Sequence, residues 1–437
     1  MAIWSAMQHK WVPVLLNSQP FHSNFARPSF LFTSESWRRS RQVHALGGFA
    51  SPKPLLDVRS QLHQDSRFLL IEATSKIEKI ELPLLSSAEV LARLKSEVLE
   101  DKRLQLFRAM YSSIVGGITT DPAAMIIPLD DHMVHRGHGV FDTAIIADGQ
   151  IIGFFSTSQQ SLFPMYLYEL DAHLDRLCRS AASARIFPPF DRLTLWEILM
   201  QTVSASKCRE GLLRYWLSAG RGGFSLSSSE CVTSTFYAIV LEESHFPPPH
   251  GVKVITSSVP IKPPQFATMK SVNYLPNALS KIEAEDNNAQ AGIWLDDEGF
   301  IAEGPNMNVA FVTSSGELLL PSFDKILSGC TVKRVVALAQ KLLLNEQKSD
   351  KIGEQNKANN GNHIHHVRMG NITVEEAKSA IEMMLIGSGV AIMPVVEWDG
   401  IPVGSGQPGP GTLALRDLLI KDILLGPASQ RTRVDYR

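Results

Sequence analysis

Three consecutive prolines, Pro247, Pro248 and Pro249, divide the chain. Proline lacks a backbone N–H and fixes its own φ, so such a run continues neither a helix nor a central strand and serves as a stiff spacer. The segments before it, VFDTAIIADG, LLRYWLSAG and STFYAIVL, are β-branched or aromatic and broken by turn residues, as strands are. The first ends in Asp148-Gly149, a hairpin signal. YLYELDAHLDRLCRSAASARI passes from strand to helical spacing, with Leu174, Leu177 and Ala181 on one side. Beyond the prolines, VKVITSSVPI, AGIWLDD, NVAFVTS and EMMLIGSGV predict strands. Tyr274–Asn288, the run after Gly329 and LALRDLLIKDILL predict helices. The expected class is α+β, in two domains. Residues 61–245 form N-terminal helices and a smaller domain, and 246–437 form a larger one.

Other stretches carry expectations of their own. Val90, Leu91, Leu94, Val98, Leu104, Leu106 and Phe107 recur at helical spacing and predict one or two amphipathic helices over Ser87–Tyr111. MYSSIVGGI and AAMIIPLDD predict short strands. Gln150–Met165 lengthens what would be a tight hairpin, either as a true insertion or as retained non-coding sequence. Glu346–Arg368 is rich in Asn, Lys and Gln and reads as a flexible loop. Its His363, His365 and His366 lack the Cys or Asp companions of a metal site.

Charge and composition exclude several function classes. Lys and Arg number 42 against 44 Asp and Glu, for a net charge of −2, too balanced for a general nucleic-acid binder. With 44% apolar residues there is material for cores, yet no apolar run is long enough for a membrane-spanning helix. Cys178, Cys208, Cys231 and Cys330 form no C-x-x-C pair, which argues against zinc and for a reducing compartment. The first fifty residues hold one acid, Glu35, against Lys10, Arg27, Arg38, Arg39 and Arg41, with seven serines. That composition matches an organelle transit peptide, and residues 1–60 are read as a leader outside the fold.

One set of residues could carry chemistry. Lys270 lies at the end of an expected strand, just before a helix, and is an amine that could condense with an aldehyde. Glu303 stands between two strands, Arg176 on a helix, Gly329-Cys330-Thr331 at a helix start, and Ser388 in a Gly-Ser-Gly turn. Free N–H groups at Cys330 and Thr331, a guanidinium and a hydroxyl would suit a phosphate. A buried carboxylate would suit a pyridinium nitrogen. Together they describe a pyridoxal phosphate site. Each also has an ordinary reading, as a surface arginine, a turn acid or a loop hydroxyl.

Six segments then decide: DDHMVHRGHGVFDTA, LDAHLDRLCRSA, KSVNYLPNALSKIEA, GFIAEGPNMNVAFV, LSGCTVKRVVALA and LIGSGVAIMPVVEWDG. In that order they resemble the fold-type IV pyridoxal-phosphate enzymes, which include branched-chain aminotransferases, D-amino acid aminotransferases and aminodeoxychorismate lyases. The resemblance covers roughly Phe107 to Leu419 and is nearest to plant plastid members. It implies a two-domain fold with the cofactor in the cleft, a homodimer, and a plastid location. It implies pyridoxal 5'-phosphate, with Lys270 as the Schiff-base lysine and proton carrier, and Glu303 at the ring nitrogen. Arg176, Cys330, Thr331 and Ser388 would take the phosphate, and Tyr274 the cofactor's 3-oxygen. The implied activity moves the amino group of a D-amino acid to a 2-oxo acid such as 2-oxoglutarate or pyruvate. The alternative is aminodeoxychorismate lyase, giving 4-aminobenzoate and pyruvate; a branched-chain L-aminotransferase is third.

One family feature is missing. Bacterial D-amino acid members hold the substrate carboxylate with an Arg-x-His pair after the strand matching LLRYWLSAG, whereas here Gly220-Arg221-Gly222-Gly223-Phe224 follows. The expected substitutes are Arg136, with His138 or Arg221, since an anionic substrate needs a cation. Otherwise Arg136 pairs structurally with Asp131 or Asp142.

Overall fold

A computed structural model of the chain describes residues 82–148, 164–243, 250–352 and 364–436. The leader 1–60, most of the Gln150–Met165 stretch and the proline triplet lie outside them.

Helix α1 (Ser87–Glu100) opens on a capping box, with Ser86 accepting from the Glu89 N–H and Glu89 accepting from that of Ser86. The helix expected to reach Tyr111 ends here. Leu104–Leu106 make one 3-10 turn, and β1 (Phe107–Ser112) begins at Phe107. Its residues are claimed by long-range pairing, which overrides the local spacing. After β2 (Gly117–Thr119), no strand forms over AAMIIPLDD. Pro122 opens a 3-10 turn capped by Asp121, and Pro128 interrupts the residues beyond that turn.

The chain continues through α2 (His132–Arg136), β3 (Gly139–Asp148), β4 (Met165–Tyr168), α3 (Leu170–Ser183), α4 (Arg192–Ser206), β5 (Gly211–Ser218) and β6 (Thr235–Glu242). Then come β7 (Val252–Thr256), α5 (Pro264–Ala267), α6 (Leu275–Asp286), β8 (Ala291–Ile293), β9 (Asn308–Val312) and β10 (Glu317–Pro321). Helix α7 (Cys330–Ile352) meets no glycine or proline before Gly353, so it runs into the stretch expected as loop from Glu346. That loop reading also fails at its end, because β11 (His366–Gly370) pairs in parallel with β10. Helix α8 (Val374–Lys378), β12 (Glu382–Gly387), β13 (Ala391–Trp398), β14 (Ile401–Pro402), α9 (Pro410–Leu425) and β15 (Arg431–Val434) complete the order.

Two sheets result, consistent with an α+β fold. One is antiparallel throughout, in the order β15-β4-β3-β5-β6-β1-β2. The other is mixed, in the order β11-β10-β9-β12-β13-β7-β8, with β14 on β13. The final strand, β15, crosses back to pair with β4 in the first sheet, a return that a division of the chain at 246 does not anticipate.

Alternation along β3 sets the layers. Val140, Ala144 and Ile146 join a core with Leu174, Leu177 and Ala181 of α3 and Leu195 and Leu199 of α4. Ile145 and Ala147 face the other way, toward Ala310 and Val312 of the second sheet, Val332 and Val335 of α7, and Leu415 and Leu419 of α9. Phe141 and Thr143, on that second face but nearer the strand's start, meet no such packing and border a cavity instead.

Candidate active site

The cavity measures about 290 Å³. Phe141 and Thr143 of β3 and Leu212 and Arg214 of β5 line one side. The register that places Arg214 opposite Thr143 puts both on the cavity face. Arg176 of α3, the stretch between Lys262 and Asn277, the loop before β9, the start of α7 and the turn after β12 line the rest. All seven residues expected to contact a cofactor border it: Arg176, Lys270, Tyr274, Glu303, Cys330, Thr331 and Ser388.

Lys270 does not end a strand. It follows the short helix α5 and is strapped to the start of β3, its carbonyl accepting from the Phe141 N–H at 2.9 Å. The Val272 N–H returns a bond to Gly139 O at 3.0 Å. The Lys270 N–H donates to Ser180 Oγ at 3.2 Å. This backbone anchoring aims the amine: Nζ lies 3.4 Å from Tyr274 Oη and 4.6 Å from the centroid of the Phe141 ring.

Glu303 is buried, and the Leu327 N–H donates to its Oε2 at 3.3 Å. Burial raises its carboxyl to about 8, against the opposing pull of Lys262, that bond and Lys270. A carboxyl so placed gains a partner if an N–H⁺ enters the cavity.

Arg176 is fixed from behind. Asp142 on β3, fully buried, accepts from Arg176 Nε at 2.8 Å and Nη2 at 2.6 Å, and bonds His173 Nδ1 at 2.8 Å. Burial works to raise the Asp142 carboxyl, but the charges of Arg176 and His173 overcome it and hold the group well below its usual range. Burial opposes the charged form of His173, yet Cys330 and Asp142 bring that imidazole up to about 9. The cluster therefore presents cationic groups beside the start of α7, where the first backbone N–H groups have no intrahelical partner. Gly329 permits this approach, since a Cβ there would stand 2.1 Å from Asn308 Oδ1. Thr331 Oγ1 and Ser388 Oγ lie 3.0 Å apart across the same corner. Cation, helix N-terminus and paired hydroxyls make a phosphate-binding donor set.

The three residues expected to hold a substrate carboxylate do not border the cavity. Arg136 is exposed and donates to the carbonyls of His135 and Phe224. The structural alternative for it fails as well: Asp131 is taken by Ser218, Thr235 and Tyr237, and Asp142 by Arg176 and His173. Arg221 pairs with Asp130 at 2.9 Å. His138 lies against His132 and bonds Ala184 O at 2.8 Å. Sequence reasoning missed Arg214, which borders the cavity with no ion pair or hydrogen bond to its side chain among the described residues. The signal was present: an arginine inside the apolar strand LLRYWLSAG. Lys262, also in the lining, was missed too.

Comparison with known proteins bears on the family and the fold. The family model for class IV amino-transferases matches residues 139–398. The chain is 53% identical over 371 residues to the chloroplastic D-amino-acid transaminase of Arabidopsis thaliana, covering 85% of this chain and 90% of that one. It is 26% identical over 242 residues to the bifunctional aminodeoxychorismate lyase / D-amino acid transaminase of Mycobacterium tuberculosis, covering 51% of this chain and 76% of that one. The branched-chain amino acid aminotransferase of Thermobaculum terrenum, solved in its PLP-form, shares the fold with a TM-score of 0.61 at 21% identity, over 75% of this chain and 99% of that one. The chain belongs to the class IV aminotransferase family.

Proposed function

We propose that this chain is a pyridoxal-phosphate-dependent transaminase that moves the amino group of D-amino acids to a 2-oxo acid. The observation that carries this is the meeting of Lys270, Glu303, Arg176 and the start of α7 around one cavity, in a chain 53% identical to a D-amino-acid transaminase.

The donor set fits the cofactor. Arg176, the Cys330 and Thr331 amides and Ser388 would hold its phosphate, Glu303 its ring nitrogen, Tyr274 its 3-oxygen, and Lys270 Nζ its aldehyde carbon. The cofactor, when bound, supplies an electron sink for the bonds of the substrate's α-carbon. Lys270 Nζ would take the proton from the substrate's α-carbon and give it up again, acting as base and then acid. Glu303 would accept a hydrogen bond from the ring nitrogen and favour its protonated form. Arg214, on the facing strand, supplies the cation for the substrate carboxylate in place of Arg136, His138 and Arg221.

A second reading, aminodeoxychorismate lyase, is favoured by the bifunctional relative. Two assays separate them. D-alanine with 2-oxoglutarate, followed by pyruvate release, reads the transaminase; aminodeoxychorismate, followed by 4-aminobenzoate, reads the lyase. A protein active on L-leucine and inactive on D-alanine would overturn the proposed function. The exposed Val115, Ile126, Leu129 and Val134 support a homodimer, which sedimentation would detect. The leader's composition and the chloroplastic relative support import into plastids, which a fluorescent fusion to residues 1–60 would report.

A further inference from the structure

Two lysines line the cavity, and the proposed reaction uses one. The second, Lys262, precedes α5. Its ammonium stands 4.8 Å from the centroid of the Tyr274 ring. Lys270 Nζ reaches the same tyrosine, 3.4 Å from its Oη and 5.9 Å from its ring centroid. The Phe141 ring packs edge-on against it, 5.2 Å between centroids. Tyr274 is thus shared by two lysine side chains, one of them the proposed reacting amine.

Lys262 is half-buried, and among the described residues no ion pair or hydrogen bond engages its side chain. An ammonium in such a place is costly unless something beside it needs the charge. Burial lowers its amine below the usual lysine range, the Glu303 carboxyl works to raise it, and Lys270 lowers it further. Its position over an aromatic face gives it an attractive contact that holds the ring as well.

We infer that Lys262 is a positioning residue of this site, whose charge holds the Tyr274 ring and, through it, biases the proton between Tyr274 Oη and the Lys270 nitrogen toward release. The inference rests on the proposed cofactor. The direction follows from charge: a cation beside a second basic nitrogen disfavours a proton there and favours the less protonated form of a neighbouring phenol. The other charged or titratable groups lining the cavity are Glu303 before β9, Arg176 of α3, Cys330 of α7 and Arg214 of β5. Of these, Glu303 feels the Lys262 charge, which works to lower its carboxyl, and Lys262→Arg keeps that charge in place. With both nitrogens held against one ring, 4.8 and 5.9 Å from its centroid, and an effective dielectric of about 20 to 40, one charge shifts such an equilibrium by about one pH unit.

The test loads the full chain with pyridoxal phosphate and titrates the visible absorbance of the bound cofactor with pH. Lys262→Met is expected to move the midpoint up by about one unit, and Lys262→Arg, which keeps the charge, to stay within about 0.3 unit of the unmodified protein. A folded Lys262→Met whose midpoint lies within about 0.2 unit of the unmodified protein overturns the inference. A midpoint displaced equally in Lys262→Arg overturns it too, because charge would not be the cause. Should the methionine variant misfold, Lys262→Gln takes its place under the same criteria. An unmodified protein that acquires no visible band defeats the cofactor reading and this inference with it. A normal unmodified titration beside an unmoved Lys262→Met defeats this inference alone.

Discussion

Replacing Glu303 by Gln removes a charge that the unloaded cavity solvates poorly. The carboxyl is raised by burial from its ordinary 4.5 to about 8 in the folded chain. An acid raised in this way favours the fold below its ordinary value, and that favour is lost as pH climbs through the folded value. The unloaded chain should therefore lose stability from this group across about pH 4.5 to 8. Integrated between pH 5 and pH 9, the loss is about 4 kcal/mol. Gln at 303 can still accept from the Leu327 N–H but has no proton to lose. Urea unfolding of both unloaded proteins at the two pH values isolates the term, since other groups cancel in the difference. We expect near-equal stability at pH 5 and a Glu303→Gln chain more stable by about 4 kcal/mol at pH 9. With the cofactor loaded, the same variant should transfer amino groups at least about a hundredfold more slowly, having lost the carboxylate that stabilises the ring's charge. Identical pH dependence in the two unloaded proteins would refute the claim that the Glu303 environment is built for a cationic partner.

Asp142→Asn should loosen Arg176 and leave buried cations unpaired, costing about 3 kcal/mol in denaturant unfolding and weakening pyridoxal phosphate binding at least about tenfold. In the unmodified chain this pair's contribution should persist at neutral pH, because the Asp142 carboxyl is held low, and fade only in strong acid. Arg214→Met should raise KM for amino and oxo substrates by about ten- to a hundredfold while cofactor affinity, read by absorbance, stays put. Arg136→Ala should leave both KM values within about twofold, since that side chain is exposed and lies off the cavity lining.

Much of this arrangement is legible in the letters alone. Strands rich in β-branched and aromatic residues, such as β3, and the start of a helix after a glycine, such as α7 after Gly329, follow from local chemistry. The residues proposed to hold the cofactor stand out because each sits in a segment that resembles the family's. What escapes is non-local. Whether Phe107 continues a helix or starts a strand is decided by β6, far along the chain. The same holds for β11, which exists because β10 pairs with it. Arg136, Arg221 and Arg214 look alike as letters; only the β3–β5 register shows that Arg214 faces the cavity, and only the fold shows that Asp130 occupies Arg221. Asp142 reads from sequence as a possible ion-pair partner of Arg136, but the packing of α3 on β3 places it behind Arg176.

Everything in the proposed reaction depends on the amine of Lys270. The most direct measurement is borohydride reduction of the protein loaded with pyridoxal phosphate, followed by peptide mass mapping. A phosphopyridoxyl group on Lys270, absent from Lys262 and lost in Lys270→Ala, is the result we expect. A reduced protein carrying no adduct, or carrying it on another lysine while Lys270→Ala remains fully active, would contradict the account.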